Sequence, residues 1–113
     1  MDHQTILKLI EKGEAILGSN TCHNNPVAIH QLREIAKALL VASENNGVID
    51  QKCSSLMEFA GIAYAPRKSR SYTREDAYEF ASRDLYAMRV HTRQLQQVRP
   101  ASGESGRSSK LSR

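Results

Sequence analysis

No apolar run in this 113-residue chain is longer than Ala38-Leu39-Leu40-Val41-Ala42. That is far short of the roughly 20 residues a helix needs to cross a bilayer, so a transmembrane span is excluded. The start, Met1-Asp2-His3-Gln4, is neither basic nor followed by a long apolar stretch with a small-residue cleavage site. A secretory signal needs both, and a cytoplasmic protein is therefore expected. Cysteine is scarce, with only Cys22 and Cys53. A chain with a core of its own and no export signal keeps such thiols reduced.

The catalytic patterns are also missing. There is no glycine-rich phosphate loop and no G-x-S-x-G, and the four histidines, His3, His23, His30 and His91, are scattered. Nucleophilic catalysis needs a nucleophile, a base and an orienting group brought together, and no such set is legible. Cys22, His23, His30 and Cys53 are residue types that zinc accepts, but no C-x2-C or H-x3-H pair holds a chelate locally. Glu44-Asn45-Asn46-Gly47-Val48-Ile49-Asp50 resembles a calcium loop around its glycine. Aligning Gly47 with loop position six puts Ala42 at position one and Cys53 at position twelve, where carboxylates are required. The same glycine turn suits a helix-turn-helix, but the following helix would offer bases only Gln51, Lys52, Ser54 and Ser55, with one positive charge. The expectation is a protein that is not an enzyme and that has no metal and no cofactor.

What the sequence does have is helical periodicity. Ile6, Leu9, Ile10, Ile16 and Leu17 fall on one face of a segment from about His3 to Leu17, with Gly13 weakening its middle and Gly18 placed to end it in a left-handed cap. Asn25-Pro26 reads as a cap followed by proline at the first helical position. From there Ala28, Leu32, Ile35, Ala36 and Leu39 form a stripe in a helix reaching about Asn45, which Gly47 ends with positive φ. Asp50 is the expected cap of a third helix to Tyr64, with the stripe Cys53, Leu56, Met57, Ala60 and Ala63. Ala65-Pro66 breaks that helix. After a linker with no apolar face, Thr73 starts a fourth helix from Arg74 to about Val98. Its seam of Tyr78, Ala81, Leu85, Met88, Thr92 and Leu95 keeps a heptad-like spacing. The fold expected is all-α: a compact four-helix bundle over residues 1–98 with a long C-terminal helix, then a Ser/Gly/Arg-rich disordered tail over 99–113.

Charge is divided unevenly. Residues 1–65 carry five basic and seven acidic side chains, whereas residues 66–113 carry eleven basic and five acidic ones. Of those eleven cations, nine are arginine, whose planar fork suits phosphate. Arg67, Lys68, Arg70 and Arg74 are clustered in the linker. Tyr86, Arg89 and Arg93 follow at one-turn spacing as one expected exposed stripe, a ring beside two forks. Asp76, Glu79 and Asp84 read as solvated members of helix ion pairs. The expected function is that of a small non-enzymatic regulatory or accessory protein that binds DNA or RNA through these seven residues. The alternative is an adaptor or inhibitor that docks an acidic protein partner, or a second copy of itself, through Ala81, Leu85, Met88 and Leu95, should the other helices leave that seam uncovered.

Overall fold

Four helices follow one another along the chain, α1 (His3–Ser19), α2 (Pro26–Ala42), α3 (Gly47–Ala63) and α4 (Arg74–Val98), in a computed structural model that describes residues 1–19 and 23–98. The expected tail, 99–113, and Cys22 lie outside the described residues.

Each helix start is fixed by a side-chain oxygen. Asp2 accepts hydrogen bonds from the Thr5 hydroxyl at 2.6 Å and the Thr5 N–H at 3.2 Å, and these bonds hold its carboxyl below the ordinary aspartate range. Asn25 Oδ1 accepts from the Ala28 N–H at 3.1 Å, ahead of Pro26 at the first helical position. Thr73 Oγ1 accepts from the Asp76 N–H at 3.0 Å, with Glu75 and Asp76 in the first turn, where the helix dipole favours negative charge.

The turn between α2 and α3 differs from expectation. α2 stops at Ala42, and the left-handed residues are Glu44 and Asn45, with φ of 55° and 59°, instead of Gly47. Asn46 then caps α3, its Oδ1 accepting from Val48 N at 3.0 Å and Ile49 N at 3.2 Å. The two asparagines thus divide the work of ending one helix and starting the next, and Gly47 becomes the first residue of α3. Asp50 serves as a first-turn anion instead of a cap. Gly18 is likewise no left-handed cap, since α1 continues to Ser19 and no described glycine has positive φ.

Contacts between the helix ends give the topology. Asp2 N donates to Ala42 O at 3.1 Å, so α1 begins where α2 ends. Asn24 N and Asn25 N donate to Ala65 O and Tyr64 O, so α2 begins where α3 ends. His91 Nε2 lies 3.2 Å from Asn46 Oδ1, which sets the far part of α4 beside the start of α3. Among the described residues the α1 and α3 backbones each lie close beside those of α2 and α4, and neither diagonal pair of backbones comes as close. This is an up-down-up-down bundle with four neighbouring pairs.

One core fills it. The α2 stripe is buried as its spacing predicts, and α3 adds Ile49, brought in by the earlier helix start, to Cys53, Leu56, Ala60 and Ala63. On α4, Ala77, Ala81, Leu85, Met88 and Thr92 have no exposure, while Tyr78 and Leu95 are half-buried. Thr92 is tolerated there because its hydroxyl donates to Met88 O at 2.8 Å. The seam expected as a docking anchor is therefore interior. Ala81, Leu85 and Met88 are covered by this chain's own helices, and the adaptor alternative built on that surface is corrected.

Gly13 belongs to this core. It continues the buried row Ile6, Ile10 and Leu17, and a Cβ built on it would meet Leu85 Cδ2 at 3.1 Å and Cδ1 at 3.2 Å. Leu85 occupies the space left by the absent side chain, so the glycine has a packing use that offsets its cost of about 1 kcal/mol in a helix interior. Leu85→Ala should cost about 2–5 kcal/mol in denaturant unfolding. Gly13→Ala should be more favourable in that background than in the parent, because its methyl then enters vacated space. Equal effects in both backgrounds would contradict this packing.

Candidate nucleic-acid interface

The structure separates the expected cations. Arg67, Lys68 and Arg70 lie on the connection between α3 and α4, are exposed, and have no ion-pair partner among the described residues. Arg74, at the base of the connection, is half-buried. Its Nη2 donates to Ala65 O at 3.3 Å, the carbonyl that also accepts from Asn24. Arg74 thus ties the entry of α4 to the junction of α2 and α3. Its Nε is buried without a hydrogen-bond partner among the described residues.

The Tyr86, Arg89, Arg93 stripe is interrupted. Tyr86 is 63% exposed and Arg93 is exposed, but Arg89 is half-buried and its guanidinium is paired with Glu14 of α1. The reason is rotational. Arg89 follows the buried Leu85 by one turn, on the side of α4 that faces α1, where Glu14 adjoins Gly13. Arg93 stands 19 residues beyond Arg74, about 28 Å along a helix, so it belongs to the other end of the bundle. The seven residues do not form one surface. The structure brings together Arg67, Lys68 and Arg70, with Arg74 beneath them.

Sequence reasoning missed what anchors this connection. Tyr72 packs edge-on against Phe59 of α3 (ring centroids 5.3 Å apart, 88° between planes) and Phe80 of α4 (5.8 Å, 81°), and the two phenylalanines are 4.9 Å apart. Arg83 lies 5.6 Å above the Phe80 ring and pairs with Glu79 at 2.5 Å. The available signal was that Phe59 and Phe80 lie off their helices' apolar stripes while a tyrosine sits in an otherwise polar linker. Satellite clusters of this kind commonly form under long connections.

Behind Tyr72 the connection encloses a hollow of about 380 Å³, lined by Lys68, Arg70 and Arg74 and by the hydroxyl residues Ser69, Ser71 and Thr73. Glu75 and Asp76 bound it on the α4 side. The larger hollow, about 680 Å³, lies between the end of α1 and the start of α4 and has Glu14 and Glu75 on its walls. No Lys or Arg is among its lining residues, so it offers phosphate no counter-charge. Among the described residues no group of three histidines, cysteines or carboxylates is placed to hold a metal. Cys53 is a free, buried thiol, 3.8 Å from Ala36 O, and burial pushes its pKa up to about 11.

Asp84 corrects a further expectation. It is a buried carboxylate of α4, not a solvated one, and its Oδ2 has no hydrogen-bond partner among the described residues. Burial raises its pKa, and the nearby Glu58 carboxylate pushes the same way, against a Ser55 hydrogen bond and the Lys52 charge. Lys52 and Ser55, two of the residues that a helix-turn-helix would have offered to bases, are thus turned toward α4. A raised folded-state pKa favours the protonated fold, so the stability Asp84 contributes is present below its unfolded pKa and lost as pH rises through the folded one. Asp84→Asn should therefore raise the thermal midpoint at neutral pH, and the gain should vanish by about pH 4. A gain that grows on acidification would contradict this.

A double-mutant cycle of Glu14→Gln and Arg89→Gln should give a coupling of about 1 kcal/mol that shrinks in high salt, as expected for a partly buried pair. No measurable coupling would place Arg89 among the free cations. Comparison with protein-family models, with curated proteins and with solved structures finds nothing that matches this chain.

Proposed function

We propose that this chain is a small non-enzymatic accessory protein that binds nucleic acid through its phosphates, with Arg67, Lys68 and Arg70 as the contact and Arg74 as the support that holds their segment in place. One observation carries the reading. Three cations within four residues stand exposed on a connection anchored at both ends, and no acid among the described residues pairs with them. The contrast with Arg89, half-buried and paired with Glu14, supports it, because a cation already desolvated against a carboxylate has little to gain from a phosphate.

The mechanism is counterion release. Each phosphate neutralised by Lys or Arg frees condensed cations, so affinity falls with salt and shows little base preference. Tyr86 and Arg93 are not needed for this contact.

The Arg67→Ala/Lys68→Ala/Arg70→Ala variant should weaken binding to a labelled oligonucleotide in anisotropy titrations and reduce the slope of log K against log salt by about 2–3. Arg89→Gln should leave that slope unchanged. Absence of binding at low ionic strength, or a slope unaffected by the triple variant, would remove the proposal.

A further inference from the structure

The aromatic cluster beneath the basic connection does more than anchor it. This chain is poor in aromatic residues, with two phenylalanines, four tyrosines and no tryptophan. Both phenylalanines and one of the tyrosines are gathered here. Anchoring alone needs only apolar volume, which Leu or Ile supplies, and the rest of the core is made mainly of those types and alanine. Tyr72 and Phe80 also stand outside that core. Tyr72 keeps 37% of its surface in contact with solvent, and Phe59 and Phe80 are half-buried.

Free cations are close at hand. Arg70 is two residues from Tyr72, at most about 7 Å of chain, and Lys68 and Arg67 come just before it. A half-exposed ring beside unpaired cations is the combination that binds unpaired bases. The cations follow the backbone, and each base has a π-face to lay against the ring. A duplex offers the same phosphates, but its base faces are already stacked on one another. Glu75 and Asp76 end the surface on the α4 side.

From this we infer that the connection between α3 and α4 selects single-stranded nucleic acid, with Tyr72 as the ring on which a base stacks and Arg67, Lys68 and Arg70 on the flanking phosphates. The inference rests on the phosphate-binding reading above and adds the strand form to it.

The test uses the full chain, a 20-nucleotide oligothymidylate and the equal-length thymidine-adenine duplex, both labelled, at low salt. The single strand should bind about tenfold or more tightly than the duplex, the size of one good stacking contact. Tyr72→Leu should remove most of that preference, whereas Tyr72→Phe should keep it. Because the chain has no tryptophan, its emission comes from four tyrosines, and the difference between the parent and Tyr72→Phe isolates the Tyr72 ring. Binding of the single strand should quench it, and Tyr72→Phe should abolish that quenching while affinity persists. This second readout holds even if Tyr72→Leu loosens the connection. Equal affinity for the two strand forms, or quenching that survives in Tyr72→Phe, overturns the inference and leaves the phosphate reading standing. Failure to bind either probe removes both.

Discussion

Burial of Ala81, Leu85, Met88 and Thr92 along α4 fixes the rotation of the longest helix, and the rotation decides what every other α4 side chain can do. A helix advances by about 3.6 residues per turn, so once Leu85 is seated against Gly13 no polar neighbour is free to choose its surroundings. Arg89 is turned to Glu14, Asp84 to Lys52 and Ser55, and Tyr86 and Arg93 to solvent. This one constraint sorts the basic side chains of α4, with Arg89 paired across the bundle and Arg93 turned to solvent.

The sorting has an energetic logic. Arg89 gives up hydration at the α1–α4 junction and recovers it from a carboxylate, while Arg74 recovers part of it from a backbone carbonyl. Arg67, Lys68 and Arg70 keep their hydration shells and their charge, because the chain there leaves the helical surface and is held by Tyr72 instead of by ion pairs. An exposed cation that makes no internal contact contributes little to stability and keeps its charge free for the proposed phosphate contact. The ring that anchors the segment and the charges that it displays are only a few residues apart, which lets one short connection supply both.

Much of this architecture was legible in the sequence, for physical reasons. Helix existence follows from apolar spacing, and the four stripes are strong, so α2 and α4 begin where Asn25-Pro26 and Thr73 place them. The turn at 43–46 was misread because a glycine outweighs asparagine in any reading based on backbone freedom alone. Here Asn45 takes the left-handed conformation and the Asn46 side chain outcompetes Asp50 as the cap. Gly13 read as a weakness because its partner, Leu85, is 72 residues away and no local pattern reports it. The pairing of Arg89 with Glu14 and the gathering of Phe59, Tyr72 and Phe80 are likewise tertiary, set by how helices meet and not by their periodicity. The linker cations could be recognised from sequence as a cluster, but only the fold separates them from their paired neighbours.

The central claim is that the connection between α3 and α4, and not the outer face of α4, is the surface this protein presents to polyanions. Residue-resolved NMR during titration with a short oligonucleotide tests it most directly, by following backbone amides together with the arginine Nε–H signals. The account predicts shifts concentrated at residues 67–72, with the Arg89 signal and the amides around Tyr86 unmoved. Shifts centred on Tyr86, Arg89 and Arg93, with residues 67–72 silent, would contradict it.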